Sequence, residues 1–343
     1  MTTAYVTHPD YVIHNIPGHP ERPARMTATW QALDEAGLTN RMLPLDPQPI
    51  TDEQILYVHT EQYLEVLNLC SLRDRPFRFD ADTSALPETP QIARLAAGGV
   101  IRAVDAIYAG DAHNALALVR PPGHHAVPGS AMGFCFLGNV AIAARHAQKV
   151  YGVERVLIVD YDVHHGNGTQ DMFYDDDSVL FISSHQSPFY PGTGDIDEIG
   201  VNKGKGYTLN IPMTAGCGDD EFKIIYEQII WEAARRFKPE LIIVSAGFDA
   251  HWNDPLAMMN LSLTGFSHLD RELIRMAEEL CDGKIIFVTE GGYDLQVFSH
   301  GVVNIAHALL GDETISDPLG AVNSFQGVAN LIHRLKTIHF GTK

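Results

Sequence analysis

Val156-Leu-Ile-Val-Asp-Tyr-Asp-Val-His-His-Gly-Asn-Gly168 is the stretch on which the fold of this chain turns. An apolar run leads directly into carboxylates, imidazoles and glycines. A continuous rather than alternating apolar run reads as a strand buried on both faces, as in a parallel sheet. In open α/β sheets, ligands bind beyond the carboxyl ends of the strands, which is where this polar cluster falls.

Working outward, similar short runs recur at Ala115–Val119, Val179–Ile182, Tyr207–Ile211, Leu241–Val244 and Ile285–Val288. Between them lie stretches with helical character: Asn139–Val150, Asp219–Phe237, Thr264–Leu280 and Val297–Leu310. The second of these opens on acidic residues, which suit a helix N-terminus. Strand and helix alternate, so the pattern predicts one α/β domain over residues 1–343, a mostly parallel central sheet flanked by helices. The first 110 or so residues are less regular, with helices expected at Tyr57–Leu69 and Gln91–Tyr108 and a loop at Arg73–Pro90.

The 343 residues carry 24 Lys+Arg against 43 Asp+Glu, a net charge of −19. That argues against phosphate-backbone binding, which needs a basic face, so no nucleic-acid partner is expected. It is compatible with cationic partners, or simply with solubility. Cys70, Cys135, Cys217 and Cys281 are widely spaced without a C-x-x-C pair, so neither a disulfide framework nor a cysteine zinc site is expected. The N-terminus lacks the charge and apolar pattern of a signal peptide, and no apolar run approaches the length of a membrane span. A cytoplasmic location follows as the expectation. No phosphate-binding loop, dinucleotide fingerprint, nucleophile elbow or H-E-x-x-H motif is present.

The predicted strand ends deliver Arg120-Pro-Pro-Gly-His-His125, Asp160-Tyr-Asp162-Val-His164, Ser183-Ser-His185, Ser245-Ala-Gly-Phe-Asp249 and Thr289-Glu-Gly-Gly-Tyr293. Asp and His are seldom buried without a partner, so this convergence points to a site. Asp162 and His164, at i and i+2 of an extended segment, would share a face. With Asp249 they make three ligands and leave an open position, the pattern of a catalytic metal. A buried Asp–His hydrogen-bond pair is the alternative for the first two alone. His124-His125 could exchange a proton with a water and a leaving amine, or be a surface loop pair. Tyr293 could hydrogen-bond a developing oxyanion, or be a packed turn tyrosine.

These residues resemble the zinc-dependent histone deacetylase family, with its bacterial deacetylase-like amidohydrolases, acetoin-utilisation proteins and acetylpolyamine amidohydrolases. The motifs are Gly18-His-Pro-Glu-Arg-Pro-Ala-Arg25, Arg120-Pro-Pro-Gly-His-His-Ala126, Gly133-Phe-Cys-Phe136, Asp160 to Gly168, Pro191-Gly-Thr-Gly-Asp195, Asp254-Pro-Leu256 and Glu290-Gly-Gly-Tyr-Asp-Leu295. The resemblance implies an arginase/deacetylase-like α/β fold and hydrolysis of N-acetyl-lysine amides with release of acetate. It implies one zinc ion, or ferrous iron, on Asp162, His164 and Asp249. His125 would be general base and then general acid, His124 an electrostatic aid, and Tyr293 would polarise the scissile carbonyl. Gly133, Phe134, Tyr190 and Leu256 would line the acyl-lysine channel, with Asp82 at its rim holding the substrate backbone. Structural potassium would sit on Asp160, Asp162, His164, Ser183 and Ser184, and a second ion on Phe173, Asp176, Val179 and Tyr207.

Asn167 stands where some relatives have Asp, which resembles the class II branch and would leave His125 less basic. Gly138 is a further variation on the family pattern. Position 166 is Gly, so the third ligand of the two-metal arginase run is missing. Leu256 stands at the aligned position where acetylpolyamine preference is associated with Glu. Expected partners are an acetylated lysine peptide or protein, or a small acyl-amine. Hydrolysis of acetylpolyamines or other small acyl amides, and a non-catalytic acyl-lysine binding module, are the competing readings. A homo-oligomer stays open.

Overall fold

A computed structural model of the chain describes residues 2–324 and 327–341. Its strands are β1 (Thr3–Val6), β2 (Leu43–Leu45), a short hairpin β3 (Phe77–Arg78) and β4 (Ser84–Ala85), then β5 (Asn114–Ala117), β6 (Val156–Asp160), β7 (Val179–Gln186), β8 (Thr208–Met213), β9 (Leu241–Ala246) and β10 (Ile285–Thr289). Eight of them form one sheet in the order β2-β1-β5-β10-β9-β6-β7-β8. Every pairing in it is parallel. The apolar runs are buried along their whole length, as strands covered by helices on both faces require. Helices Thr89–Tyr108 and Asn139–Tyr151 pack together, as do Ala24–Glu35, Leu295–Leu309 and Leu263–Cys281. Both groups contact the sheet. The single α/β domain expected from the sequence is the fold observed.

Strand order places the functional loops. The chain steps from β5 to β6 and leaves a gap that β9 and β10 later fill. The carboxyl ends of β5, β10, β9 and β6 therefore stand side by side, and four loops meet over the middle of the sheet.

Several local expectations change. Ser183, Ser184 and His185 do not follow a strand end: β7 runs on through them, because the ladder to β8 continues from Ser183↔Asn210 to Gln186↔Met213. Asp162 and His164 are not on an extended segment either. The ladder of β6 stops at Asp160, and Asp162 Oδ1 then accepts from the His164 N–H at 2.9 Å, closing a local turn. The irregular N-terminal region contributes β1 and β2. The expected loop Arg73–Pro90 contains the β3–β4 hairpin, and the next helix already begins at Thr89. The expected helix Asp219–Phe237 is continuous but includes a π-helical turn at Tyr226–Ile230. All four cysteines are buried and free. Among the described residues no helix is long and apolar enough to cross a membrane.

Under β6 the Tyr161 hydroxyl donates to Asp270 Oδ1 at 2.9 Å, and both residues are fully buried. Burial pushes the Asp270 carboxyl up to about 8 against the opposing Tyr161 hydrogen bond. The unfolded chain releases this proton near the ordinary value of about 3.9, so the folded state binds more protons between the two values. Stability is therefore lost as pH rises from about 4 to about 8, by at most about 1.4 kcal/mol per unit. Asp270→Asn, which mimics the protonated acid, should match the wild type in urea denaturation near pH 4 and exceed it at pH 9. Parallel stability curves for the two proteins would rule the effect out.

Candidate active site

Asp162, His164 and Asp249 come together with one ligand atom from each lying within 4.8 Å of the others. Asp162 and Asp249 are fully buried and His164 is nearly so. Asp162 is tied by two backbone donors to its carboxylate, the His164 N–H on Oδ1 and the Gly291 N–H on Oδ2 at 2.8 Å. Asp249 Oδ1 accepts from the Val163 N–H at 2.9 Å. Its Oδ2 has no hydrogen-bond partner, though it lies 3.2 Å from His164 Nδ1. Gly291 is required here, because a Cβ at this position would stand 2.2 Å from Asp249 Oδ2 and 2.6 Å from Asp162 Oδ2.

The electrostatics call for a positive charge at this point. Burial works against a charged His164, yet Asp162 and Asp249 raise it to about 10. Burial and Asp162 push the Asp249 carboxyl up. Burial also opposes ionisation of Asp162, but His124 and His164 hold it far down. Two buried carboxylates, one of them with an unpartnered oxygen, and an imidazole fit a divalent metal ion. The donor chemistry suits zinc or ferrous iron. Gly166 supplies no further carboxylate, so this trio has one metal's worth of ligands.

The tandem histidines are buried, not a surface pair. His124 Nδ1 bonds Asp160 Oδ2 at 3.1 Å, and His125 Nδ1 bonds Asn167 Oδ1 at 2.8 Å. Their rings lie 4.0 Å apart, centre to centre. Burial lowers both, but Asp162, Asp160 and Glu290 drive His124 well above the ordinary histidine range. Burial and then the His124 and His164 charges drive His125 well below it. Neighbours whose proton affinities are forced apart mark a division of acid and base roles. His125 lines the central cavity; His124 is not among its lining residues.

That cavity holds about 220 Å³ and is lined by Asp82, His125, Gly133, Phe134, His164, Tyr190, Leu256 and Tyr293. The structure thus brings every expected channel residue to one place. Tyr190 and Leu256 are each 38% exposed at the mouth. Gly133 and Phe134 both take positive φ, 55° and 68°, and a Cβ on Gly133 would lie 2.3 Å from His125 Cδ2. The Phe134 N–H donates to Thr83 Oγ1 at 3.1 Å, and the His19 ring meets the Phe134 ring edge-on at 4.5 Å. His19 also bonds the Asp82 carbonyl at 3.1 Å, tying wall to rim. Tyr293 is buried, and burial with Asp249 and Asp162 keeps its phenol far above the ordinary value, so it remains a hydrogen-bond donor.

Several residues here had no role assigned from sequence. Phe189 stacks on His164 at 5.2 Å. Asp254 accepts from the Tyr293 N–H at 2.8 Å. Arg25 donates to the Gly292 carbonyl at 2.8 Å, to the Glu290 carbonyl and to Glu21. Arg120 pairs with the same Glu21 oxygen at 2.5 Å. Burial alone would raise Glu21, but Arg120 and Arg25 hold it at about 2. The signal was present in Glu21, Arg25 and Arg120, charged residues inside the quoted motifs, but sequence could not say that they meet. The expected cation residues Ser183 and Ser184 are buried in β7 beside Asp160, and Ser184 Oγ has no partner. Phe173 ends helix Asn167–Phe173, Val179 starts β7 and Asp176 lies between them, and the Tyr207 carbonyl accepts from the Phe181 N–H.

A histone deacetylase domain model matches residues 19–309. A probable deacetylase of Archaeoglobus fulgidus is 43% identical over 299 residues, covering 86% of this chain and 82% of that protein. A histone deacetylase-like amidohydrolase of Pseudomonas aeruginosa is 42% identical over 284 residues, 80% of this chain and 73% of that protein. The polyamine deacetylase HDAC10 of Mus musculus is 39% identical over 306 residues, 86% of this chain and 45% of that protein. Among solved structures, the HDA15 HD domain superposes with a TM-score of 0.91 at 36% identity, covering 99% of this chain and 96% of that one.

Proposed function

The chain belongs to the histone deacetylase family, and from that premise we propose that it hydrolyses the amide of an N-acetyl-lysine side chain, releasing acetate. The observation that carries this reading is one cavity lined together by His164, His125 and Tyr293, with Asp162 and Asp249 grouped around the same His164. Its wall, which includes the apolar faces of Phe134, Tyr190 and Leu256, suits an extended alkyl chain. Zinc, or ferrous iron, held by the trio would supply Lewis acidity to carbonyl and water oxygens.

The protein's own groups supply the rest. Asn167 Oδ1 accepts from His125 Nδ1–H, which leaves Nε2 as the basic nitrogen. His125 Nε2 takes the proton of the attacking water and returns it to the departing amine. Charged His124 stays paired with Asp160 and keeps its neighbour neutral until that proton arrives. The Tyr293 hydroxyl donates to the acyl oxygen as negative charge builds there. Tyr293→Phe should lower kcat about 10²- to 10³-fold and leave KM nearly unchanged. An unaltered kcat would remove Tyr293 from the chemistry.

Potassium ions on Asp160, Asp162, His164, Ser183 and Ser184, and on Phe173, Asp176, Val179 and Tyr207, belong to the same proposal. The unpartnered Ser184 Oγ supports the first of them.

The deciding experiment is acetate release from an acetyl-lysine peptide compared with N-acetylputrescine. The apolar Leu256 at the mouth favours the peptide. Preference for the putrescine substrate would move the reading to polyamines. Peptide binding without release of acetate would leave only a binding module.

A further inference from the structure

Glu290 is 1% exposed, directly follows β10 and stands three residues before Tyr293. Its carboxylate is used entirely by the neighbouring loop and strand. Oε2 accepts from the Gly123 N–H at 2.7 Å and the His124 N–H at 3.2 Å. Oε1 accepts from Ser245 Oγ at 3.2 Å. Its main chain is anchored as well: the N–H donates to the Ala246 carbonyl at 3.0 Å, and the carbonyl accepts from Arg25. On the other side of the tandem-histidine loop, the His124 carbonyl accepts from the Gly168 and Thr169 N–H groups at 3.0 and 3.2 Å. Asn139 Nδ2 holds the Pro121 carbonyl at 3.1 Å.

Glu290 also lies close to His124 and Cys135, and the three could be read as metal donors. In the structure these groups are engaged in hydrogen bonds instead. His124 Nδ1 is committed to Asp160 and both Glu290 oxygens are already accepting. Glu290 is not among the residues lining the cavity, so it does not reach substrate.

We infer that Glu290 is the positioning residue that couples the two catalytic loops. By gripping the backbone of Gly123 and His124 from the base of the tyrosine loop, it sets His125 relative to Tyr293. A buried acceptor for two amides is needed for this, not a negative charge. The inference rests on the roles proposed for His125 and Tyr293.

Three substitutions separate geometry from charge. The carbonyl of Glu290→Gln can accept both amides; Glu290→Asp keeps the charge but withdraws it by one methylene; Glu290→Ala removes the acceptor. With equal metal content, Glu290→Asp and any folded Glu290→Ala should lose about 10- to 100-fold in kcat with little change in KM, while Glu290→Gln stays within about threefold of wild type. Amide exchange at Gly123 and His124 should remain slow in wild type and Glu290→Gln and become fast in Glu290→Asp. Unchanged exchange in Glu290→Asp, wild-type kcat in Glu290→Asp, or a Glu290→Gln as defective as Glu290→Asp would each overturn the inference. A wild-type protein that cleaves no acyl amide, yet shows this exchange pattern, would sink the proposed reaction and leave the grip standing.

Discussion

Asp249→Asn is expected to weaken zinc binding by more than the roughly 10- to 100-fold typical of residues that only support a ligand. The Asn carbonyl can keep the bond from the Val163 N–H. What disappears is the charged oxygen at Oδ2, which has no hydrogen-bond partner and faces His164. Metal binding would stabilise the wild type by roughly 2.7 kcal/mol at a hundredfold excess over Kd, and the variant would lose this gain. Without metal the order should differ. Burial and Asp162 already disfavour the Asp249 charge, so the metal-free variant should melt no lower than the metal-free wild type. Calorimetric zinc titration and melting curves with and without chelator measure both effects. Undiminished zinc affinity in the variant would exclude Asp249 as a ligand.

His125→Ala should reduce kcat by about 10²- to 10⁴-fold, the usual contribution of a positioned acid–base group. KM should change little and zinc content not at all, because His125 lies outside the ligand trio. His125 is suited to the task because its environment keeps it neutral and its bond to Asn167 leaves Nε2 free to take the proton. A kcat within a few-fold of wild type, measured by acetate release at saturating substrate, would transfer the base role to another group.

The parallel strands were legible because burial on both faces leaves no reason for polar alternation. Each expected run from Val156–Val159 onward falls on an observed strand, with ends displaced by a few residues. β1 and β2 escaped because Thr3–Val6 and Leu43–Leu45 are too short to make a run. β2 includes Pro44, which an edge strand tolerates. The end of β7 was misplaced because Ser183, Ser184 and His185 look like loop residues. Their strand conformation depends on β8, whose pairing is not local.

The sequence by itself determined the fold class and the residue types gathered at the strand ends. Both follow from local patterns: burial writes apolar runs, and catalysis needs Asp, His and Tyr after them. It could not determine that His124 faces Asp160 while His125 faces the cavity, since adjacent identical residues differ only in what the rest of the chain places beside them. Nor could it show that Glu21 joins Arg25 to Arg120, or that Glu290 holds the histidine loop. Two of those contacts, Glu21 with Arg120 and Glu290 with Gly123, span about 100 residues or more of chain, and β9 and β10, the last strands in sequence, create the site by entering between β5 and β6. Proton affinity and positioning are set by the charges and amides that this tertiary insertion brings into contact.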